Sequence, residues 1–378
     1  MDFGLSQEQE ALRAETIEFA RTELDPAGGS VEEFSRAMWD LCAKFGVLGS
    51  FIDPAYGGRG LDLVSTMVVL EALGYGSGNT GFTLAVNGHM WAVQAPIAQF
   101  GTEEQKQRLL PGMVAGTLIG ADGVTEAESG SDAFAMHTTA TKRDGGYVLN
   151  GEKVYITMGP VCDFAIVFAT TDRELGRWGI NAFLVDATTP GFTASSHRSK
   201  MGLQAAPFGD FTLEDVFVPE ELRLGPEGAG ASIFAHVMNW ERSFIFASQV
   251  GVMQRQLDEN VEYAQTRQQF GKPIGRFQSV SNRIADMQLR LETSRLLLYK
   301  AAWLMDRGED AQMAAALAKL HIGDAFVESS IDSVRNHGAT GYISEYGVER
   351  DLRDAMGGPI LGGTADIQRR SIARALGL

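Results

Sequence analysis

Val124-Thr125-Glu126-Ala127-Glu128-Ser129-Gly130-Ser131-Asp132 is the stretch on which the fold turns, because the pattern of the chain changes around it. Before it, up to about residue 115, the chain reads as helical. Ser30 with Glu33, and Thr102 with Gln105, are capping-box patterns. Met38, Leu41 and Phe45 follow at helical spacing, with Gly46 as a stop. Pro54, Gly57, Gly58 and Gly60 then break the chain, and residues 63–73 place Val64, Met67, Leu70 and Leu73 on one helical face. Around and beyond the stretch, to about residue 225, short apolar runs alternate with turn residues. Asp144-Gly145-Gly146 and Asn150-Gly151 read as turns flanking Tyr147-Val148-Leu149. Runs at 164–169, 183–185 and 211–218 read as further strands, the last ended by Pro219. From about 226 the helical period returns, in Val250, Met253, Leu257 and Val261, and in Ile284, Met287, Leu291 and Leu298. The expectation is an α+β chain: a helical domain at 1–115, a small antiparallel β domain at 116–225 and a helical bundle at 226–378.

Composition sets the outer limits. With 378 residues, 44% hydrophobic and 21% charged, the chain can bury a large core and is not dominated by disorder or coiled coil. Lys+Arg 32 against Asp+Glu 48 gives a net charge of −16, which disfavours nucleic-acid binding through bulk charge. Forty-four glycines against 11 prolines imply tight turns and close backbone approaches. Cys42 and Cys162 have no metal-ligand spacing, so no metal site is expected, and two distant thiols fit a reducing compartment. The N-terminus carries no basic stretch followed by an apolar run, and no stretch of about 18 apolar residues occurs. The expected setting is cytoplasmic, without membrane insertion.

Five segments in register carry a resemblance. After the opening stretch come Asn150-Gly151-Glu152-Lys153-Val154-Tyr155-Ile156-Thr157, then Arg267-Gln268-Gln269-Phe270-Gly271-Lys272 with Phe277-Gln278, then Arg353-Asp354-Ala355, then Gly363-Thr364 with Ile367-Gln368-Arg369. In this order and spacing the chain resembles the acyl-CoA dehydrogenase family over essentially its whole length. The resemblance implies FAD held between the β domain and the bundle. It places Val124, Thr125, Ser131 and Thr157 at positions serving flavin or substrate, Thr157 near the flavin N5. Tyr155 takes a position usually held by a tryptophan on the flavin ring. Arg267, Gln269, Phe270 and Gln278 match a stretch that reaches the FAD of a neighbouring subunit, where an arginine suits a pyrophosphate. Gly338 and Gly341 match glycines near the adenine half. Thr364 is a further cofactor position. The chain departs from the family pattern at Arg335, where Gln is typical, at Ala339, where a second Gly is typical, and at Asp366, where Gln or Glu is common.

The implied chemistry removes a proton from the carbon beside a thioester carbonyl and a hydride from the next carbon. A carboxylate must meet that proton, and hydrogen bonds must polarise the carbonyl. Many relatives carry the carboxylate immediately before the Gly-Thr pair. Gly362 stands there and cannot abstract a proton. The isovaleryl and long-chain branch places the base on a bundle helix instead, and Glu241 in Asn239-Trp240-Glu241-Arg242 occupies that position. Glu241 is the expected base, with the Gly362 N–H and the flavin ribityl hydroxyl stabilising the enolate-like transition state.

His89, Trp240, Arg242, Leu361 and Ser131 are the expected substrate contacts, and the bulk of His89, Met90, Trp91 and Trp240 favours a short or cyclic acyl group. The segments around Phe270 and Gln278, with Glu241 and Gly362, also look like a secondary-metabolism branch that oxidises acyl groups on carrier proteins, such as prolyl thioesters. Arg283, Arg290 and Arg295 are candidates for a basic docking face on this acidic chain. The thioester is therefore on CoA or on a carrier arm. The implied electron acceptor is an electron-transfer flavoprotein, and the implied assembly a homo-oligomer, dimer or tetramer. Two alternatives remain: an oxidase or monooxygenase on the same fold, and a non-catalytic partner subunit.

Overall fold

Side-chain caps mark where the N-terminal helices begin. The computed structural model describes residues 3–24 and 32–378. Helix α1 (Gln7–Phe19) opens with a capping box between Ser6 and Gln9. Ser30, of the Ser30/Glu33 pattern, lies outside the described residues; helix α2 (Arg36–Phe45) is capped by Ser35 and ends at the left-handed Gly46. Helix α3 (Leu63–Gly76) starts at Asp62 and is buried on nearly all sides, not on one face. It threads the centre of the domain, and helix α8 (Ala247–Thr266) of the bundle lies along it. A Cβ on Gly74 would sit 1.9 Å from the Ser248 carbonyl, and one on Gly251 1.9 Å from the Glu71 carbonyl, so this crossing requires glycine on both helices. Helix α4 (Thr80–Gly88) runs into a π-helical turn (His89–Gln94), followed by α5 (Ala95–Phe100) and α6 (Glu103–Val114), the last with the Thr102/Gln105 capping box.

The strands are β1 (Gly120–Gly123), β2 (Thr139–Arg143), β3 (Gly146–Thr157), β4 (Phe164–Thr170), β5 (Ile180–Asp186), β6 (Phe192–Ala194), β7 (Phe208–Pro219) and β8 (Arg223–Leu224). They form one sheet in the order β6-β7-β3-β2-β4-β5-β8, with β1 beside β4. Two details differ from the sequence expectation. The sheet is mixed, because β1 runs parallel to β4 and β2 touches β4 in parallel. Asn150-Gly151 is not a turn: β3 runs straight through it, and the register against β7 slips there as a bulge. The Asn150 side chain bridges to Asp215, which fixes the bulge. Asp144-Gly145 is the true hairpin turn, closing Arg143 against Gly146.

Helix α7 (Gly230–Phe244) leads into α8; a short hairpin of β9 (Gln268–Gln269) and β10 (Lys272–Pro273) follows. Helices α9 (Gln278–Asp306), α10 (Gln312–His337), α11 (Ala339–Tyr342), α12 (Val348–Ala355) and α13 (Ala365–Ala375) complete the bundle. One apolar cluster joins α3, the sheet and the bundle, with Leu70, Phe211, Val250, Leu291 and Leu298 all buried within it. Each such Leu contributes on the order of 1.5–3 kcal/mol by burial. Among the described residues no helix is long and apolar enough to cross a membrane.

Candidate active site

Glu241 sits on the last turn of α7, half-buried, and faces the loop that precedes α13. Gly362 in that loop has φ +64°, and a Cβ built on it would lie 3.5 Å from Glu241 Oε1. The two positions at which the resemblance allows a base therefore converge on one point in space. The loop is held in place. Gln368 Nε2 donates to the Gly362 and Gly363 carbonyls (3.4 and 3.1 Å), and the Thr364 hydroxyl accepts from the Ile367 N–H to cap α13. Among the described residues no protein group accepts from the Gly362 N–H. Leu361, half-buried, packs one residue away on the main core.

The electrostatics of this corner are dominated by burial. Burial pushes the Glu241 carboxyl up to about 7, against the opposing charges of Arg242 and Lys319. Lys319, almost fully buried on α10, donates to the Gly358 carbonyl at 3.0 Å; burial brings it down to about 8, while Glu241 pulls the other way. Arg242 Nε is buried without a protein partner, and Arg242 Nη2 lies 3.7 Å from the Cβ position of Gly363. Asp122, on β1, is raised well above the usual carboxylate range by burial and then by the charge of Glu241. Trp240 closes one side, its ring 5.9 Å from Trp91 and 5.8 Å from Phe51.

His89 does not face this corner. It is fully buried, its Nδ1 accepts from the Gly120 N–H, its ring meets the edge of Trp39, and burial lowers it to about 4, so it is a neutral core histidine. The expectation that it contacts substrate is corrected: the ring is fully buried between Trp39 and the Gly120 N–H of β1.

The two motif segments of the β domain are tied together by a buried ion pair. Lys153 Nζ donates to Glu126 Oε1 at 2.7 Å and to the Val124 carbonyl at 3.1 Å. Glu126 also accepts from the Thr138 N–H and hydroxyl and from the His137 N–H. Burial would raise Glu126, but Lys153 and these hydrogen bonds hold it below the usual range. The pair fixes Val124 and Thr125 beside β3, where the Thr125 carbonyl accepts from the Val154 N–H. Ser131 is exposed beyond it, and Thr157 lies 3.8 Å from the Cβ position of Gly88. Tyr155 is 55% exposed with φ +64°, on a second bulge of β3, stacked 6.0 Å from Phe208 with Arg198 over its ring. A non-glycine residue held in the left-handed region costs on the order of 1–3 kcal/mol and commonly marks a functional site.

The remaining cofactor positions gather at the other end of the bundle. Phe270 and Gly271 both have positive φ in the two-residue turn of the β9–β10 hairpin, and Phe270 is 91% exposed. Arg267, Gln269 and Gln278 flank it, all exposed. Tyr263 stacks on His337 at 4.3 Å, which sets this hairpin beside the end of α10, where Arg335 and Gly338 lie. Arg335 pairs with Asp332, and Gly338 (φ +62°) has open space where a Cβ would be. Helix α8, 20 residues and so about 30 Å long, separates this group from Glu241. Thr364 and Asp366 stay with the Gly362 loop, Asp366 pairing with Arg369. The exposed aromatic on a strained bulge, the hydroxyls beside it and the open glycine at the far end all fit a flavin dinucleotide.

Arg283, Arg290 and Arg295 do not form a free basic face. Arg290 pairs with Asp332 and Glu328, Arg295 with Glu71 and Glu292, and Arg283 with Asn336 and Asp332. Their charge is consumed between helices.

The sequence reading missed Asp122, Lys319 and the Glu126–Lys153 pair. Lys319 had a signal: it is a lone cation after Ala314, Ala315, Ala316 and Ala318.

Comparison with known proteins agrees along the whole chain. The acyl-CoA dehydrogenase N-terminal domain matches residues 6–117, the middle domain 121–216 and the C-terminal domain 228–377. An L-prolyl-[peptidyl-carrier protein] dehydrogenase of Pseudomonas fluorescens is 40% identical over 380 residues, covering 100% of both chains. The crystal structure of the prolyl acyl carrier protein oxidase AnaB superposes with a TM-score of 0.97 at 40% identity, covering 99% of this chain and 100% of that one. The structure of PigA with FAD and proline gives a TM-score of 0.97 at 39% identity, covering 100% of both chains. The chain belongs to the acyl-CoA dehydrogenase family.

Proposed function

We propose that this protein oxidises an acyl thioester tethered to a carrier protein to the enoyl thioester, with FAD as cofactor. The observation that carries the reading is Glu241: a carboxyl in a low-dielectric corner, raised to about 7 and faced by a glycine that leaves room for substrate. A base with a pKa near neutrality is ionised for part of the population and still basic enough to take a weakly acidic α-proton. Glu241 takes that proton. The Gly362 N–H donates to the thioester oxygen as charge grows there. Arg242 and Lys319 hold the neighbourhood positive, which favours the charged form of Glu241 before it reacts. FAD, when bound, supplies the acceptor for the β-hydride. The aromatic wall of Trp240, Trp91 and Phe51 suits a short or cyclic acyl group.

The carrier-protein substrate is supported by the prolyl-carrier relatives at about 40% identity and equally presents its phosphopantetheine end as CoA would. A homo-oligomer is supported by the exposed tip at Phe270 and by Leu289, Leu296 and Trp303, exposed at seven-residue spacing along α9. An electron-transfer flavoprotein is the acceptor in this reading, and the reaction is cytoplasmic. A second reading, direct reoxidation by dioxygen, is favoured by the description of AnaB as an oxidase. The test is anaerobic mixing of the yellow protein with a panel of CoA-bound and carrier-bound acyl thioesters while flavin absorbance is followed. Bleaching with a carrier-bound thioester supports the proposal, and bleaching with none sinks it in favour of a non-catalytic subunit. Oxygen uptake on admitting air separates the two acceptors.

A further inference from the structure

The tip of the β4–β5 hairpin exposes apolar side chains on a backbone that is tied down. Trp178 is 61% exposed, and Leu175 and Phe134 are exposed as well. The Gly179 carbonyl accepts from the Thr171 N–H at 2.8 Å and from the Asn181 side chain, whose amide oxygen accepts from the Gly228 N–H ahead of α7. Phe134 sits on the short turn Ala133–Ala135, which lies against the turn Gly176–Gly179 that carries Trp178. The Phe134 ring meets Phe234 of α7 edge-on at 5.7 Å, and Phe234 meets buried Phe168 of β4 the same way at 5.8 Å. A fixed group of exposed apolar side chains marks a surface that another molecule covers.

Helix periodicity places this surface relative to the base. Phe234, Met238 and Glu241 stand at i, i+4 and i+7 on α7, so they share one face of the helix. Seven residues are about 10 Å along the axis. Phe134 therefore stands at the solvent end of the face that carries Glu241, two helical turns out from it. Ser131, also exposed, is three residues before Phe134. An arm that enters over Phe134 and Phe234 follows that face inward to the base, and whatever holds the outer end of the arm rests on Leu175 and Trp178.

Charge and composition select the occupant. Arg177 lies over the Trp178 ring at 4.6 Å. Asp172 of the same loop turns back onto the Glu174 N–H, and among the described residues no carboxylate pairs with Arg177. An acidic partner is repelled by a chain of net charge −16 unless its seat holds an uncommitted cation. The arginines of α9 do not supply one, because their charge is taken up between helices. The nucleotide end of CoA is polar and carries several phosphates, which three apolar side chains and one arginine match poorly. A protein helix that offers apolar side chains and carboxylates together matches them well, and tryptophan and arginine are the residues that most often anchor such contacts. We infer that Phe134, Leu175 and Trp178, with Arg177, form the seat for an acidic carrier protein whose arm runs along α7 to Glu241. The inference rests on the acyl-thioester reading above and adds where the protein half of the substrate docks.

The experiment uses one acyl group on two supports, prolyl on a peptidyl carrier protein and prolyl on CoA, in anaerobic single-turnover flavin reduction by the FAD-loaded protein. The parent should half-saturate at a lower concentration of the carrier thioester than of the CoA thioester. Trp178→Ser should raise the half-saturating carrier concentration on the order of 10- to 30-fold, with the rate at saturation and the CoA reaction unchanged. Arg177→Glu should raise it too, and should remove the salt dependence that the parent shows with the carrier. Leu175→Ser serves in place of Trp178→Ser if that variant does not take up FAD. An equal rise for both thioesters would mean a seat for the arm or the nucleotide, or a structural role, and would overturn the docking surface. An unchanged carrier reaction in the folded variants would overturn it, as would a Trp178→Ser protein that sediments as a smaller assembly than the parent, since the patch would then join copies of this chain. A parent that bleaches with neither thioester would remove the acyl-thioester reading and the seat with it, a result distinct from all of these.

Discussion

Glu126 is buried and Glu241 half-buried, and they come out opposite. Glu126 meets an ammonium, a hydroxyl and two backbone N–H groups, and is held below the usual carboxylate range. Glu241 has two cations nearby but no hydrogen bond to its carboxyl among the described residues, and burial pushes it up to about 7. Burial alone therefore does not make a base. Burial with the hydrogen-bonding places left empty does, because the charged form is then disfavoured until a substrate proton offers a use for it.

The sharpest way to break this contrast is to exchange the two carboxyls for neutral groups. Glu241→Gln should lower the anaerobic flavin-reduction rate by roughly two to four orders of magnitude with the fold intact; near-normal reduction in a stopped-flow trace would end its assignment as base. Glu126→Ala should do the reverse, destabilising by about 3–5 kcal/mol because buried Lys153 loses the carboxylate it is paired with, read as a lower urea midpoint. If Glu126→Ala kept its midpoint, the pair would not be structural. The pH dependence sharpens the same point. Glu241 acts only when ionised, so the reduction rate should fall about tenfold per pH unit below about 7 and level off above it.

Moving the carboxyl tests whether the corner accepts a base from either side. Gly362→Glu combined with Glu241→Gly should recover about tenfold over Glu241→Gln in flavin reduction, since the two positions face one point but the new side chain starts from a left-handed backbone. No recovery would show that the loop cannot aim a carboxyl. The smallest effect is on stability. The folded pKa of Glu241 lies above its unfolded value of 4.5, so its protonated form favours the fold and stability is lost as pH rises from there through about 7. Glu241→Gln is spared that loss, and its urea midpoint should drop less between pH 5 and pH 8. For Glu126 the sign reverses: its stabilisation is present above the unfolded value and fades in acid.

What the sequence could and could not disclose follows from the range of the interactions. The helical and β regions were legible because caps and periodicity are local, as at Thr102 with Gln105 and Met38 with Phe45. Asn150-Gly151 was misread because a bulge and a turn use the same residues, and only the partner strand decides between them. Glu241 could be singled out from the resemblance, but its convergence on Gly362 joins residues 121 positions apart and needed the fold. Asp122 stayed hidden because one acid in a short strand looks like any surface residue until its neighbours are known. The three arginines failed as a docking face for the converse reason: helix neighbours that sequence spacing does not reveal had already neutralised them.

The hairpin tip carries a consequence for the kinetics. A phenylalanine held in a left-handed turn at 91% exposure meets the Phe277 ring edge-on at 6.0 Å and leaves most of its own surface to solvent. If its use is to cover a cofactor on another copy, the working catalyst is second order in protein. Specific activity should then decline on dilution while saturating substrate fails to restore it, and added FAD should slow the decline. On that footing turnover would follow how much of the protein a cell makes as well as how much substrate it meets.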